Sequence, residues 1–322
     1  MKRNAMLVFV AGVVVLAPNV GRACACGCGV FDVGTSSMFP HDAGGMAFVE
    51  YDFQDQDRNW SNTGPAPAAN NGDKDIRTDF TTYGFQYMFN RSWGVQVEVP
   101  YDFRDFKTLG GPSGDQVVSL KWSSLGDVRL EGLYTGFSED LSSGLIFGVK
   151  VPTGDYSHND AYGDIDRDTE LGTGSTDVLL GGFHRHRLTR DGSWTWFAQG
   201  LLDVPALTQV QYRPGIELDA AAGVYYKGWM VHGLTITPLA QVIASVRTSD
   251  SGDNASGGIY DDNGPVGGRD SGYQRVLLSP GIEFDIHKIS MYADVELPVV
   301  QDFVGNQLVA PWLFKFLITY KF

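Results

Sequence analysis

The sequence is poor in cysteine and in basic charge, and beyond its first 25 residues it has no long apolar run. Its three cysteines are Cys24, Cys26 and Cys28, so no disulfide framework can hold the rest of the chain together. Lys and Arg number 24 against 38 Asp and Glu, a formal charge of −14, which is the wrong sign for a nucleic-acid footprint. No later stretch approaches the roughly 18 uncharged apolar residues of a spanning helix. Disorder is excluded as well, because 43% of the residues are apolar and 12% aromatic. What is abundant is glycine, 40 residues of it, and apolar residues that alternate with polar ones.

The start of the chain reads as an address. Lys2 and Arg3 precede the apolar run from Met6 to Ala17, and Ala23-Cys24-Ala25 fits the small-residue pattern before a signal-peptidase cut. We expect a signal peptide over 1–25 and a short periplasmic segment over 26–43. Cys26 and Cys28, one residue apart, are half of a soft-metal or redox site, with His41 as a further ligand. An acylated cysteine and a plain oxidisable tail are the other readings. No cofactor is expected.

From residue 44 to 322 the chain repeats one pattern: about ten residues of period two, then turn formers. Trp93, Val95, Val97, Val99, Tyr101 and Phe103 fall on one face, and Gln96, Glu98, Asp102 and Arg104 on the other. The last segment repeats this, with Trp312, Phe314, Phe316, Ile318, Tyr320 and Phe322 alternating with Lys315, Thr319 and Lys321. Twelve such segments can be placed, near 45–54, 78–89, 92–105, 121–135, 143–152, 174–187, 193–205, 215–227, 232–247, 272–285, 288–299 and 310–322. The connections alternate between tight turns (for example 90–92, 189–192 and 287–288) and longer loops, notably 55–75, 106–120, 153–173 and 248–271. That arrangement predicts a single all-β, transmembrane, antiparallel up-and-down barrel of about 12 strands, with short turns and both termini in the periplasm. A soluble sandwich would bury one apolar face against another; here the apolar faces carry Tyr83, Phe85, Tyr87, Phe89, Trp194 and Trp196, as aromatic girdles do. The aromatic end, Tyr320 and Phe322, is similar to the signal read by the barrel-assembly machinery of Gram-negative outer membranes.

A short motif recurs: apolar, charged, apolar, proline. It stands at Val97-Glu98-Val99-Pro100, Val149-Lys150-Val151-Pro152, Leu202-Asp203-Val204-Pro205 and Val295-Glu296-Leu297-Pro298. Parity aims Glu98, Lys150, Asp203 and Glu296 into the lumen at similar height, with the prolines where ladder pairing weakens. Asp102, Arg104, Asp127 and Arg129 join them as lumen residues. Such a belt can favour cations, or serve only as hydrated and ion-paired lining.

Tyr83-Gly84-Phe85, Leu125-Gly126-Asp127-Val128, Gly148-Val149-Lys150-Val151-Pro152-Thr153-Gly154-Asp155 and Gly172-Thr173-Gly174-Ser175-Thr176-Asp177 carry a resemblance. Over 80–322 the chain resembles the outer-membrane barrel family of the meta-pathway of phenol degradation, whose members are often called transporters. The resemblance implies a passive channel for small molecules, aromatic compounds among them.

Three function classes follow. The first is an outer-membrane channel for small molecules or ions, not an enzyme, with the bilayer, the assembly machinery and its solute as partners and no nucleic acid; association of several copies is compatible with it. The second is a sheath barrel whose lumen is plugged and whose cysteines dock a metal or redox partner. The third is a lipid-modifying enzyme. It is disfavoured because none of His41, His158, His184, His186, His232 and His287 is expected mid-strand near the outer leaflet beside a serine, His184, His186, His232 and His287 standing at periplasmic turns. His184 and His186, on one strand face, would supply only two ligands to a metal.

Overall fold

A computed structural model describes residues 40, 43–111, 115–159, 163–209, 211–227, 229–252 and 271–322. The expected signal peptide, the cysteines and His41 lie outside the described residues.

Twelve antiparallel strands close on themselves. They are β1 (Gly44–Gln56), β2 (Asp73–Met88), β3 (Trp93–Gly110), β4 in two pieces (Gln116–Leu125 and Val128–Tyr134), β5 (Ser143–Val151) and β6 (Ser175–Arg187). The round continues with β7 (Trp194–Thr208), β8 (Glu217–Tyr226), β9 (Leu234–Arg247), β10 (Tyr273–Ile286), β11 (Ile289–Val309) and β12 (Leu313–Lys321). Each strand pairs with its sequence neighbours, and β12 pairs with β1 from Lys321↔Met46 to Leu313↔Gln54, which completes the ring. Closure pairs the first strand with the last, so the ring has no open seam, as a strand-built membrane span must.

The alternation expected from sequence is present. Tyr83, Phe85, Tyr87, Phe89, Trp93, Tyr101, Phe103, Trp194, Trp312, Tyr320 and Phe322 are exposed on the outer wall. Inward positions of the same strands, such as Gln86, Gln96, Asp102 and Lys315, are buried.

Several strands run well past the roughly ten residues that cross a bilayer: β3 has 18 residues and β11 has 21. The expected loop 106–120 is therefore mostly hairpin, and part of the expected loop 55–75 is a strand, Arg58–Asn62, paired to the far end of β11. In this overhang the polarity of the wall inverts. Ion pairs face outward, Lys107 to Asp75 at 2.5 Å and Lys121 to Asp105 at 2.8 Å. Inside, Ile76, Phe106, Trp122, Ile165 and Leu308 form an apolar cluster.

The prolines of the repeat mark irregularities of the ladder. Pro100 stands where β3 changes partner from one piece of β4 to the other. Register slips between Pro205 and Leu207 in β7, and beside Pro298, opposite the Val276/Leu277 step of β10. Pro152 follows the last residue of β5. A proline has no N–H for the ladder, and an extra residue beside it changes which face points inward. Val299 and Val300 are accordingly both exposed.

Candidate functional site: a charged lumen between two apolar layers

The barrel interior is stratified. Near the short-turn end, inward side chains of six strands meet: Met46 and Phe48, Phe183, Phe197, Leu239, Tyr292 and Leu317. Glycine makes room for this layer, since a Cβ on Gly84 would lie 1.9 Å from Cζ of Phe48. At the long-loop end the apolar cluster of the overhang forms the second layer. Parity reading stressed the charged lumen residues; it did not anticipate either layer.

Between the layers lie charges. Lys150 Nζ is 2.6 Å from carboxylate oxygens of both Asp177 and Asp203. Arg129 is 3.9 Å from Glu98. Glu98 also accepts from Gln96, which bonds Gln86 and Glu131. A second group surrounds Lys315, 3.0 Å from Glu50 and 3.4 Å from Asp52, with Asp294 opposite Lys315 in register. Glu296 belongs to this group, is 1% exposed and has no hydrogen-bond partner on either oxygen. The four repeat residues thus fall into separate contact groups among the described residues: Glu98 with Arg129 and Gln96, Lys150 with Asp203 and Asp177, and Glu296 beside Lys315. Lys315, which sequence parity placed in the lumen without a role, is the hub that was missed.

The described residues of the loop 152–174 fold back into the mouth of the barrel, and Ile165, Asp166, Arg167, Asp168, Thr169 and Glu170 are all buried. Its neck is tied by Asp127. That carboxylate accepts from Gly154 N at 3.0 Å, Thr173 N at 2.8 Å and Thr173 Oγ1 at 2.6 Å. Thr153 Oγ1 donates to the Gly126 carbonyl and accepts from Val128 N, both at 2.9 Å. Gly154 and Gly172 touch so closely that a Cβ on Gly172 would lie 2.5 Å from the Gly154 carbonyl carbon. Three motif fragments distant in sequence, 125–128, 152–155 and 172–177, are therefore one knot.

The inserted stretch is held from the wall. Arg104, 1% exposed, donates to Thr78 Oγ1 at 3.0 Å, to the Thr169 carbonyl and to the Glu170 carbonyl at 3.2 Å. Arg167 lies over the rings of Tyr156 and Tyr212 at 5.0 and 4.9 Å and donates to the Thr173 carbonyl. Glu170 accepts from His158 N at 2.7 Å. Burial, with the nearby Asp155 charge, pushes its carboxyl up to about 9, against the opposing pull of that N–H and of Arg104 and Arg167.

Beneath the loop is a cavity of about 180 Å³. Its lining includes Glu98, Asp102, Arg104, Asp127, Arg129, Lys150 and Asp203, seven of the eight lumen residues read from sequence; Glu296 is outside it. Ten carboxylate side chains line it against five cationic ones.

One histidine does stand beside a serine, though at the short-turn end expected for it. His184 Nδ1 is 2.7 Å from Ser143 Oγ, a cross-strand pairing across 41 residues that the linear sequence hides. The pair sits on the outer wall at the short-turn end, and among the described residues no carboxylate bonds this histidine.

Comparison with known proteins agrees with this architecture. Residues 56–168 match the family described as "Putative MetA-pathway of phenol degradation". The chain resembles that family. Two solved structures share its fold. One is an outer membrane channel from Pseudomonas putida F1, with TM-score 0.63 and 11% identity over 90% of this chain and 100% of that one. The other is the β domain of the Bordetella autotransporter BrkA, with TM-score 0.52 and 13% identity over 87% and 100%. At such identities the likeness is one of fold. No curated protein matches the sequence.

Proposed function

We propose that this chain is an outer-membrane channel for small solutes, captured closed, with the short turns and both termini in the periplasm. The observation that carries the reading is the charged cavity between two layers made of side chains and a folded loop. Both layers are made of side chains, most of them on the barrel strands and one on the loop, so they can move aside without breaking a ladder. The carboxylate surplus around the cavity raises the local concentration of cations and favours their passage. The family resemblance supports transport and leaves the solute open, aromatic compounds included.

Planar bilayers test this. Purified, folded protein is expected to give discrete conductance with a cation-directed reversal potential in a salt gradient. Replacing Glu98 and Glu296 together by Gln is expected to weaken that preference. Silence from folded protein would reject the channel.

The two apolar layers favour one alternative, a sheath barrel with a filled lumen. It predicts that silence, and predicts that displacing the loop opens nothing. Docking of a metal or redox partner through Cys26 and Cys28 belongs to this alternative, and replacing both by Ser would abolish it. Tyr320 and Phe322, exposed at the end of β12, are proposed as the contact for the assembly machinery.

A further inference from the structure

The cavity beneath the loop has more acceptors than donors. Its five cationic side chains are engaged: Lys150 by Asp177 and Asp203, Arg129 by Glu98 at 3.9 Å, Arg104 by the loop carbonyls, Arg167 by the Thr173 carbonyl and two rings, and Arg247 by Asp250 at 2.8 Å. Carboxylate oxygens remain over. Among the lining residues, Glu50 Oε2 and Asp203 Oδ1 are buried and accept no hydrogen bond from the described residues. Buried acceptors left empty are costly, and a ligand carrying N–H groups relieves that cost.

The arrangement discriminates among ligands. An anion meets the carboxylate surplus and is repelled. A neutral hydrocarbon leaves the open oxygens as they are. A bare metal ion needs several ligands converging at one point, and among the described residues no group of three His, Cys, Asp or Glu side chains is placed to hold one. A cation whose charge is spread over several N–H donors can reach separated oxygens at once. The volume suits it: about 180 Å³ here, against roughly 150 Å³ for a cavity that accepts one benzene ring. Phe80 in the lining adds an aromatic face of the kind that attracts cations.

We propose that this cavity is a binding station for a small organic cation with several N–H donors, of the guanidinium, amidinium or alkylammonium class. The station deepens the channel reading and rests on it for the route by which the cation arrives. Glu50 and Asp203 receive its donors, and the folded loop covers it.

The test uses the full-length protein, purified and folded in detergent, with folding verified by heat-modifiable gel mobility. Methylguanidinium and N-methylurea, a neutral analogue of similar shape, are titrated by ligand-observed NMR. Methylguanidinium is expected to bind at least about tenfold more tightly, a difference of about 1.4 kcal/mol. Asp203→Asn and Glu50→Gln are each expected to remove most of that preference. Glu50→Gln is the safer variant, because Lys315 keeps Asp52 as a partner. Equal binding of the two probes, or a preference unchanged in both variants, overturns the station. Bilayer recordings separate this from the broader reading: a conducting protein without the preference is a channel lacking the station, and a preference in a silent protein keeps the station while rejecting the channel.

Discussion

Arg104 donates to the carbonyl of Glu170, wall to loop, at 3.2 Å and across 66 residues of sequence. The same guanidinium holds the carbonyl of Thr169 and Thr78 Oγ1. Hydrogen bonds from a charged group are worth about 1.5–3 kcal/mol each. Arg104→Ala is therefore expected to undock the loop while the barrel ladder persists. Limited proteolysis should cut within 152–174 much faster in the variant, and its conductance should rise. Unchanged cleavage would show that Asp127 and the apolar contact of Ile165 suffice.

Glu170 makes that docking depend on pH. Its carboxyl is held up to about 9 in the docked loop, against an ordinary value near 4.5 when the loop is free in water. The docked state thus binds the proton more tightly, and docking weakens as pH rises between those values, by at most about 1.4 kcal/mol per pH unit. Open probability is expected to grow from pH 5 to pH 8. Glu170→Gln should flatten the dependence and keep the loop docked. A pH response identical in the variant would assign the effect to another group.

Lys150 is the shared partner of two buried carboxylates. Lys150→Met leaves both without a counter-charge, which should cost about 3–5 kcal/mol. Adding Asp177→Asn and Asp203→Asn should restore most of it. Denaturant unfolding followed by tryptophan fluorescence in micelles measures both steps. Failure of the triple variant to recover would mean that the network orients strands as well as balancing charge.

Phe48 closes the short-turn layer by lying over Gly84. Phe48→Ala should cost about 3–5 kcal/mol as a cavity-forming change. It should also raise conductance most strongly when combined with Arg104→Ala, because the two layers obstruct in series. Additive currents without that synergy would argue that only one layer limits flow.

Much of this was legible in the sequence. A period of two is a rigid property of strands, so the twelve segments and their outward aromatics could be counted directly. Trp122 shows what the pattern cannot carry. Parity run through 121–135 aims Trp122 outward with the lipid face, because Arg129 and Glu131 point in. The break at Gly126 and Asp127 adds a residue opposite Pro100, the faces exchange, and Trp122 turns into the apolar cluster of the overhang. The knot around Asp127 was invisible for a different reason: its members lie 27 and 46 residues apart, and only the fold joins them. The carboxylates of the lumen were readable as charges. Their grouping around Lys150 and Lys315 follows from strand adjacency, which no periodicity encodes.

The inversion of polarity along β2, β3 and β4 means that one chain is built for two solvents. Its band is apolar outside, so lipid or detergent governs it, and its stability should track acyl-chain length. Its crown keeps Ile76, Phe106, Trp122 and Leu308 inside and charges outside, as a water-soluble domain does. The crown should therefore strengthen in sulfate and weaken in urea much as a soluble core would, whatever amphiphile surrounds the band. Melting of the two zones need not coincide, and the crown carries the loop.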